Sequence, residues 1–175
     1  MLRIPGPSRL REVDVSAMIA IRTFQAGDAE PLAELFAASV RALAHGDYTD
    51  AQIRAWASAI ADVDRFALRA REKMTWVAVR ESRIAGFSDL EPDGHIDMLY
   101  VHPEHARRGV ARALLAHIEG IAADHAPGRL YTEASITARP VFERMGFEVT
   151  AQQTVTVRGE SMMNYRMEKS LRPAR

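Results

Sequence analysis

The spacing of apolar residues changes along the chain, and each spacing indicates a different element. Residues 19–24 are a short apolar segment that predicts a strand. Apolar residues then recur every three or four positions between 32 and 43, which predicts an amphipathic helix. A second helix is predicted to begin at Thr49, because Gln52 follows at the spacing of a capping box. The segment 63–71 is predicted to continue helically.

The pattern becomes strand-like in the middle of the chain. Three apolar segments between 75 and 103, separated by polar or turn residues, predict an antiparallel meander whose last strand is GHIDMLYVHP. A long amphipathic helix is predicted from Arg107 to His125. A strand at 130–135, a short helix at 137–145 and a hairpin turning at 158–160 complete the predicted elements.

This order of elements predicts one domain of the mixed α/β or α+β class, spanning residues 19–170. The chain has 175 residues, of which 47% are hydrophobic, and this is enough to bury a sizeable core. Residues 1–18 lack the continuous apolar segment of a secretory signal, and we interpret them as an N-terminal extension. A cytoplasmic location is therefore expected.

Composition narrows the range of partners. Twenty-three basic and 23 acidic residues cancel, so nothing in the net charge indicates binding to nucleic acid or to an anionic membrane. No apolar stretch approaches the roughly 18 residues that a membrane-spanning helix needs. The chain has no cysteine, which excludes a cysteine nucleophile. We expect no metal site either, because Pro103 places His102 and His105 in a loop and no third ligand is near in sequence.

The segment HPEHARRGVARALL, residues 102–115, brings two arginines to a predicted helix N-terminus. The helix dipole disfavours Arg107 and Arg108 there. Glu104 could offset them through solvent; alternatively they hold an anionic ligand together with free backbone N–H groups. Gly109 favours the second interpretation, because a glycine allows a ligand close to the backbone. No P-loop and no G-x-G-x-x-G is present, so the residues alone indicate only a phosphate-bearing ligand.

Two segments resemble motifs of the GCN5-related N-acetyltransferases. The stretch IDMLYVHPEHARRGVARALLAHIE is similar to the acetyl-CoA-binding strand, loop and helix of that family, with Gly109 and Ala111 at the glycine positions of its Gln/Arg-x-x-Gly-x-Gly/Ala signature. The stretch ASITARPVFERMGF is similar to the family's Asn-x-x-Ala helix and the Gly-Phe that follows. With YTDAQIRAWA nearer the N-terminus, the resemblance is closest to the YafP-like branch.

This resemblance implies a central, mostly antiparallel sheet of about seven strands, flanked by helices and splayed between strands four and five. It implies acetyl-CoA as co-substrate and an amine as acceptor, with direct acetyl transfer to a primary amine in a ternary complex, by a monomer or homodimer. The alternative is a non-catalytic acyl-CoA-binding or sensor module. The residues that the resemblance assigns to acetyl-CoA are Leu99, Tyr100, Val101, Arg107, Arg108, Gly109, Val110, Ala111, Arg112, Ser135, Ala138, Phe142 and Arg144.

Two positions depart from the family pattern. Ala106 stands where the signature usually begins with Gln or Arg, so a neighbouring arginine is expected to compensate. Phe142 stands where many members have a tyrosine that protonates the departing thiolate. Tyr131 and Tyr165 are the candidates to replace that tyrosine, and water is the alternative proton donor.

Three residues are candidates for the base that takes the proton from the attacking amine. In a continuous strand, His95 and Asp97 share one face with Leu99 and Val101 and so point along the same wall. Glu133 in LYTEAS is the third candidate. The structural alternatives stay open: a turn residue for His95, and a paired or hydrogen-bonded carboxylate for Asp97 and for Glu133.

Overall fold

The computed structural model describes residues 18–125 and 128–171, so the predicted extension lies outside it except for Met18. The helices and strands in this part of the chain are, in order, β1 (Ile19–Thr23), α1 (Ala29–Leu43), α2 (Asp50–Ala57), α3 (Val63–Glu72), β2 (Met74–Arg80), β3 (Arg83–Leu90), β4 (Leu99–Val101), α4 (Val110–His125), β5 (Arg129–Ser135), α5 (Arg139–Arg144), β6 (Glu148–Val157) and β7 (Glu160–Ser170).

Local sequence signals place several of these elements correctly. Thr49 and Gln52 form the predicted capping box at the start of α2, with both reciprocal hydrogen bonds present. The β6–β7 hairpin turns at Arg158 and Gly159, which both have positive φ (47° and 86°), as the favoured two-residue hairpin turns require. The short helix α5 is confirmed, although it is shorter than the predicted 137–145.

The strands form two antiparallel sheets. The first has the order β1-β2-β3-β4, and the second has the order β5-β7-β6. Within the described chain, the two sheets are joined by one isolated parallel bridge, between His95 and Tyr131. The mixed α/β fold with seven mostly antiparallel strands is confirmed, but the central sheet is divided because β4 and β5 separate beyond this bridge.

Strand β4 is much shorter than the predicted 94–103. The backbone N–H groups of Asp97 and Met98 both donate to Oδ1 of Asp89, at 2.9 and 2.8 Å. A side chain thus takes the donors that a regular ladder would use, and the strand is interrupted. The regular alternation of β4 therefore does not extend to 95 and 97. Asp97 still lines the same cavity as Leu99 and Val101, as predicted, whereas His95 does not, and for His95 the prediction is wrong.

Helix α4 begins at Val110, and the prediction that it starts at Arg107 is wrong by three residues. The preceding residues form a turn in which Arg107 and Gly109 have left-handed φ values of 60° and 84°. The carbonyl of Gly109 accepts the N–H of Ala113 at 2.9 Å, which makes it the first carbonyl of the helical ladder. The two arginines therefore lie in the loop, ahead of the unpaired amides of the first helical turn.

The first sheet separates two hydrophobic cores. Helix α4 covers one face, and α5, which packs against β5, adds Phe142 to the same core. Leu114, Leu115 and Ile118 of α4 are fully buried there. Helices α1 and α3 cover the other face, and α2 packs between α1 and the β6–β7 hairpin. This second core includes Leu32, Phe36, Ile53 and Phe66. The short strand β4 contributes to both cores, because Leu99 and Val101 pack on the α4 side and Met98 and Tyr100 on the α1 side.

Candidate active site

A cleft opens between β4 and β5. At its closed end, the amide of Ile96 donates to the carbonyl of Tyr131 (2.9 Å), and the amide of Tyr131 donates to the carbonyl of Gly94 (3.0 Å). Beyond these bonds the strands diverge around a cavity of about 250 Å³. The predicted splay between the fourth and fifth strands is thus present. The lining of this first cavity includes Leu99, Val101, Ala134, Ser135, Ala138 and Phe142.

The backbone of β4 presents two residues to the cleft. The carbonyl of Met98 and the amide of His102 both pair with β3, so the even-numbered residues direct their backbone groups to that strand. Backbone groups alternate in direction along an antiparallel strand. The amide and carbonyl groups of Leu99 and Val101 therefore point the opposite way, towards the cleft, at the open edge of the first sheet. Those of Tyr100 point to β3.

The loop before α4 concentrates positive charge beside the first cavity. Arg107, Arg108 and Arg112 are exposed, and none of them is ion-paired with a described residue. Gly109 is exposed as well, whereas Val110 is buried in the core, and Ala111 lines the cavity. Uncommitted guanidinium groups next to the free amides of a helix N-terminus are suited to binding an anion.

Helix α5 closes the cleft on the side of the second sheet. The Ser135 hydroxyl accepts the N–H of Ala138 at 3.0 Å, so it stabilises the turn into α5. Phe142 is buried and packs edge-on against Phe147, with ring centroids 5.1 Å apart. Arg144 is exposed at the end of the helix and is not among the residues that line the cavity.

The three predicted base candidates are joined by one hydrogen-bonded network. Nε2 of His95 lies 2.6 Å from Oε2 of Glu133, and Nδ1 of His95 lies 3.3 Å from Oε1 of Glu91. The same Glu91 oxygen is 2.6 Å from Nζ of Lys73, which is itself 2.7 Å from Oδ2 of Asp97. The structure therefore brings His95, Asp97 and Glu133 together through two residues that sequence reasoning missed.

His95 is poorly placed to act as the base. Burial disfavours its charged form, but the hydrogen bond to Glu133 and the charges of Glu133 and Asp97 outweigh this effect and raise the pKa of His95. With a carboxylate at each ring nitrogen, the imidazolium form donates to both, at Glu133 and at Glu91. His95 also lines neither of the two cavities described here.

Asp97 lies at the border between the first cavity and a second one. The second cavity, of about 520 Å³, lies on the α1–α3 side of β4. Among the described acidic residues, Asp97 lines both cavities, whereas Glu133 lines only the first and Asp89 only the second. Oδ2 of Asp97 is held by Lys73 and, at 3.5 Å, by Arg69. The other residues lining both cavities are Trp56, Tyr100 and Val157.

Asp89 and Lys73 position this part of the chain. Burial raises the pKa of Asp89 to about 6, although the N–H of Met98 and the charge of Lys73 partly offset the effect. Burial lowers the pKa of Lys73, but its hydrogen bonds to Asp97 and Glu91 outweigh that and raise it. A carboxylate inside the apolar strand RIAGFSDL was a usable signal for Asp89, by the argument applied to Asp97. Lys73, near a predicted helix end, carried no such signal.

Neither predicted replacement for the missing tyrosine lines the cleft. The hydroxyl of Tyr131 donates to Oδ2 of Asp93 at 2.5 Å, and this hydrogen bond raises the pKa of Tyr131 to about 12. The ring of Tyr165 lies under the guanidinium of Arg139, 4.5 Å from its centroid. Both candidates make these contacts away from the cleft, which leaves water as the alternative proton donor.

Two other tyrosines line the first cavity. The hydroxyl of Tyr48 donates to the carbonyl of Met163 (2.7 Å) and accepts the amide of Ile136 (2.9 Å). The hydroxyl of Tyr100 accepts Nε1 of Trp56 at 3.3 Å, and burial raises its pKa strongly. Both phenols therefore stay protonated near neutral pH.

Residues 18–125 and 128–171 contain no group of three or more His, Asp or Glu side chains arranged to hold a metal ion. Nδ1 of His102 instead accepts the amide of Glu104 at 3.2 Å, and His105 is buried. None of the helices in the described ranges is long and apolar enough to cross a membrane.

Comparisons with known proteins agree with this geometry. The family model described as Acetyltransferase (GNAT) domain matches residues 44–169. The uncharacterized N-acetyltransferase YafP of Escherichia coli K12 is 39% identical over 150 residues, covering 85% of this chain and 94% of YafP. A crystal structure of a GCN5-related N-acetyltransferase from Rhodopseudomonas palustris superposes with a TM-score of 0.84 and 36% identity, over 86% of this chain and 94% of that one.

Two more distant structures share the fold. PaiA N-acetyltransferase from Thermoplasma acidophilum, solved with coenzyme A, has a TM-score of 0.71 and 20% identity, covering 87% of this chain and 99% of its own. The putative acetyltransferase YncA from Salmonella typhimurium, solved with acetyl-CoA, has a TM-score of 0.69 and 17% identity, covering 90% of this chain and 96% of its own. The family model, the relative YafP and the shared fold all agree with the splayed strands and with the motifs on them. The chain therefore belongs to the GCN5-related N-acetyltransferases and is an acyltransferase.

Proposed function

We propose that this protein transfers the acetyl group of acetyl-CoA to a primary amine by direct attack in a ternary complex. The observation that carries the proposal is the cleft between β4 and β5, which has unpaired backbone groups on one wall and the cationic loop beside it. A pantetheine arm is long, narrow and rich in amides, so it fits an open strand edge. The two distant relatives solved with coenzyme A and acetyl-CoA support this choice of donor.

The donor site uses backbone groups more than side chains. The backbone of Leu99 and Val101 would pair with the pantetheine arm, and Ala138 and Phe142 would contact its thiol end. The pyrophosphate would lie at the loop before α4, where the amides of residues 109–111 are free and the glycine allows close approach. The remaining predicted donor contacts are Tyr100, Arg107, Arg108, Arg112, Ser135 and Arg144.

Asp97 is the base that the geometry favours. It borders both cavities, and only its Oδ2 is hydrogen-bonded to described residues, through Lys73 and Arg69, so Oδ1 is left for an ammonium proton or a bridging water. Glu133, whose Oε2 pairs with His95, lines only the first cavity and is the next candidate.

The neutral amine then attacks the thioester carbon, a C–N bond forms, and the C–S bond breaks. The amide of Val101 would stabilise the developing negative charge on the carbonyl oxygen. With Phe142 in place of the usual tyrosine, the departing thiolate takes its proton from water. The expected cytoplasmic location and the monomeric or homodimeric state stay predictions.

The donor site is tested by removing its positive charge. In the double variant Arg107→Ala with Arg108→Ala, we expect calorimetry to show roughly tenfold weaker coenzyme A binding at low salt, and a shallower dependence on ionic strength, because two anion contacts are lost. The matched control is Arg41→Ala with Arg71→Ala, which removes two exposed arginines that line neither cavity. Unchanged affinity in the loop variant would remove these arginines from the donor site.

One observation favours an alternative function. Phe142 lacks a proton to donate, and neither Tyr131 nor Tyr165 lines the cleft, so a non-catalytic acyl-CoA-binding or sensor module is the second candidate. Incubation with acetyl-CoA and a panel of amines, with detection of free thiol, separates the two. Thiol release with at least one amine supports the transferase, and tight binding without release for any amine supports the sensor.

A further inference from the structure

The second cavity has an apolar wall and a charged rim. Aromatic rings on the α1–α3 side of the first sheet line its wall: Phe36, Trp56, Phe66, Phe87 and Tyr100. These rings pack edge-on or stacked against one another, with centroids 4.6 to 6.4 Å apart, so the wall is a continuous surface. Such a wall accepts an apolar or planar body and leaves recognition of the two ends to the rim.

The cations on the rim follow helix α3. Arg65 and Arg69 are four residues apart, which places them one above another on one side of α3, and Lys73 follows directly after the end of the helix. All three line the cavity. Lys73 and Arg69 are bound to Asp97. Arg65 forms no ion pair with any described residue.

A second uncommitted cation comes from the other side. Arg158, in the turn of the β6–β7 hairpin, also lines the cavity and has no ion pair in the described ranges. The rim carboxylates, by contrast, are in use: Asp62 accepts the amide of Arg65 at 2.9 Å, and Asp89 accepts two backbone amides. The lining carries four cationic side chains, Arg65, Arg69, Lys73 and Arg158, against the three carboxylates of Asp62, Asp89 and Asp97, so its formal charge is positive by one.

The spacing along α3 sets a length for a ligand. Four residues of α-helix rise by about 6 Å, so Arg65 lies about 6 Å beyond Arg69 along the axis, farther from Asp97. A molecule that reaches both Asp97 and Arg65 needs its two charged ends separated by several ångströms. A free α-amino acid, whose ammonium and carboxylate groups are attached to the same carbon atom, is too short to span this distance.

We propose that the second cavity is the acceptor site, and that its acceptor is a small primary amine with an anionic group at the far end of an apolar spacer. The amine lies at Asp97, the spacer lies along the aromatic wall, and Arg65 and Arg158 hold the carboxylate or phosphate. Arginine is suited to this role because its planar fork binds either anion through two hydrogen bonds. This proposal rests on the proposed function, since Asp97 is the base there.

Matched acceptors test the anionic end. Hexylamine and ε-aminocaproate share the amine and a chain of five methylenes, and they differ in the terminal methyl or carboxylate; aminopentyl phosphate replaces the carboxylate by a phosphate. We expect kcat/KM, followed by release of free thiol from acetyl-CoA, to be at least tenfold higher for one of the anionic acceptors than for hexylamine. The preferred anion identifies the carboxylate or the phosphate class. Equal values for all three acceptors would overturn the proposal.

A pair of variants on α3 assigns the preference to the cavity. Arg65→Ala should reduce the preference to about threefold or less, while kcat/KM for hexylamine stays within about twofold. Arg71→Ala removes an exposed arginine of the same helix that does not line the cavity, and it should retain the full preference. A preference that survives Arg65→Ala would also overturn the proposal.

Binding measurements keep this proposal separate from the proposed function. The anionic acceptors and hexylamine are titrated into the protein saturated with coenzyme A. Binding of an anionic acceptor that Arg65→Ala abolishes, without turnover of any amine, supports the cavity and refutes the transferase. Turnover of all three acceptors without preference supports the transferase and refutes the anion site. If neither anionic acceptor binds or is acetylated, the anion site is refuted as well.

Discussion

The two cavities on either side of Tyr100 differ in what they present to a ligand. The first is lined by apolar side chains and the open backbone edge of β4, with the amides of the α4 loop beside it. The second is lined by aromatic rings and by charged side chains from α3 and β3. A site made of backbone persists as long as the fold does, whereas a site made of side chains changes with single substitutions. Donor binding can therefore be common to relatives of low identity while the choice of acceptor varies.

One short strand produces this difference. In β4, the residues of one parity direct their backbone groups to β3 and their side chains to the α1–α3 core, as Tyr100 does. Leu99 and Val101, of the other parity, direct their backbone to the cleft and their side chains to the α4 core. Asp97 lies just before this strand and borders both cavities.

The largest effect is expected where the two cavities meet. Asp97→Asn keeps the size of the side chain and removes the proposed base, so kcat/KM should fall about 100- to 10,000-fold. Calorimetric affinity for coenzyme A should stay within about twofold, since the donor site relies on β4 and the loop.

Glu133→Gln is the comparison variant, because Glu133 lines only the first cavity. We expect it to reduce kcat/KM by less than about tenfold. A larger loss for Glu133→Gln than for Asp97→Asn would move the base to the pair formed by Glu133 and His95. It would also contradict the proposal that Asp97, which borders both cavities, takes the proton from the amine.

A smaller effect is expected at Asp89, which belongs to the second cavity alone. Burial raises its pKa from 3.8 to about 6, so the folded protein holds this proton more tightly than the unfolded chain does. The stabilisation is therefore complete below about pH 4 and is lost as the pH rises through 6, a change of about 3 kcal/mol at 1.36 kcal/mol per pKa unit. The free energy of unfolding of the native protein, minus that of Asp89→Asn, should fall by this amount between pH 3 and 7.

Lys73→Met provides the control for that measurement. The charge of Lys73 lowers the pKa of Asp89, so its removal should shift the loss of stability to higher pH. Urea denaturation at a series of pH values measures both variants. A difference between native protein and Asp89→Asn that stays constant from pH 3 to 7 would show that burial does not control this carboxylate.

The smallest effect is expected at Gly86, on the side of the first cavity. A Cβ atom there would lie 2.8 Å from the carbonyl oxygen of Tyr100 and 2.8 Å from Cγ1 of Val110. Gly86→Ala should therefore push α4 away from the sheet and destabilise the fold by about 1–3 kcal/mol. Coenzyme A should bind several-fold more weakly, while the preference among acceptors at the second cavity remains.

Gly120→Ala makes the same change on α4 where nothing lies within 4 Å of the added carbon. It should stabilise the helix by up to about 1 kcal/mol, since alanine is the better helix former. Urea denaturation of the two variants gives the comparison. Equal stability of Gly86→Ala and Gly120→Ala would mean that the contact between α4 and β3 is not tight.

Local signals predicted much of the fold. The capping box at Thr49 and the positive-φ turn at Gly159 depend on residues close in sequence, and both were placed correctly. The start of α4 and the length of β4 were predicted incorrectly. The first depended on the left-handed backbone of Arg107, and the second on Asp89, whose side chain binds amides eight and nine residues away.

The sequence alone determined the family, the cleft strand and the cationic loop, because these are contiguous motifs whose chemistry depends on spacing along the chain. It also supplied the three base candidates, without ranking them. Only the tertiary structure ranked them, since it placed a carboxylate at each nitrogen of His95 and set Asp97 between two cavities. Burial and charge pairing decide which of several similar side chains is available for proton transfer, and both arise only when distant segments pack together.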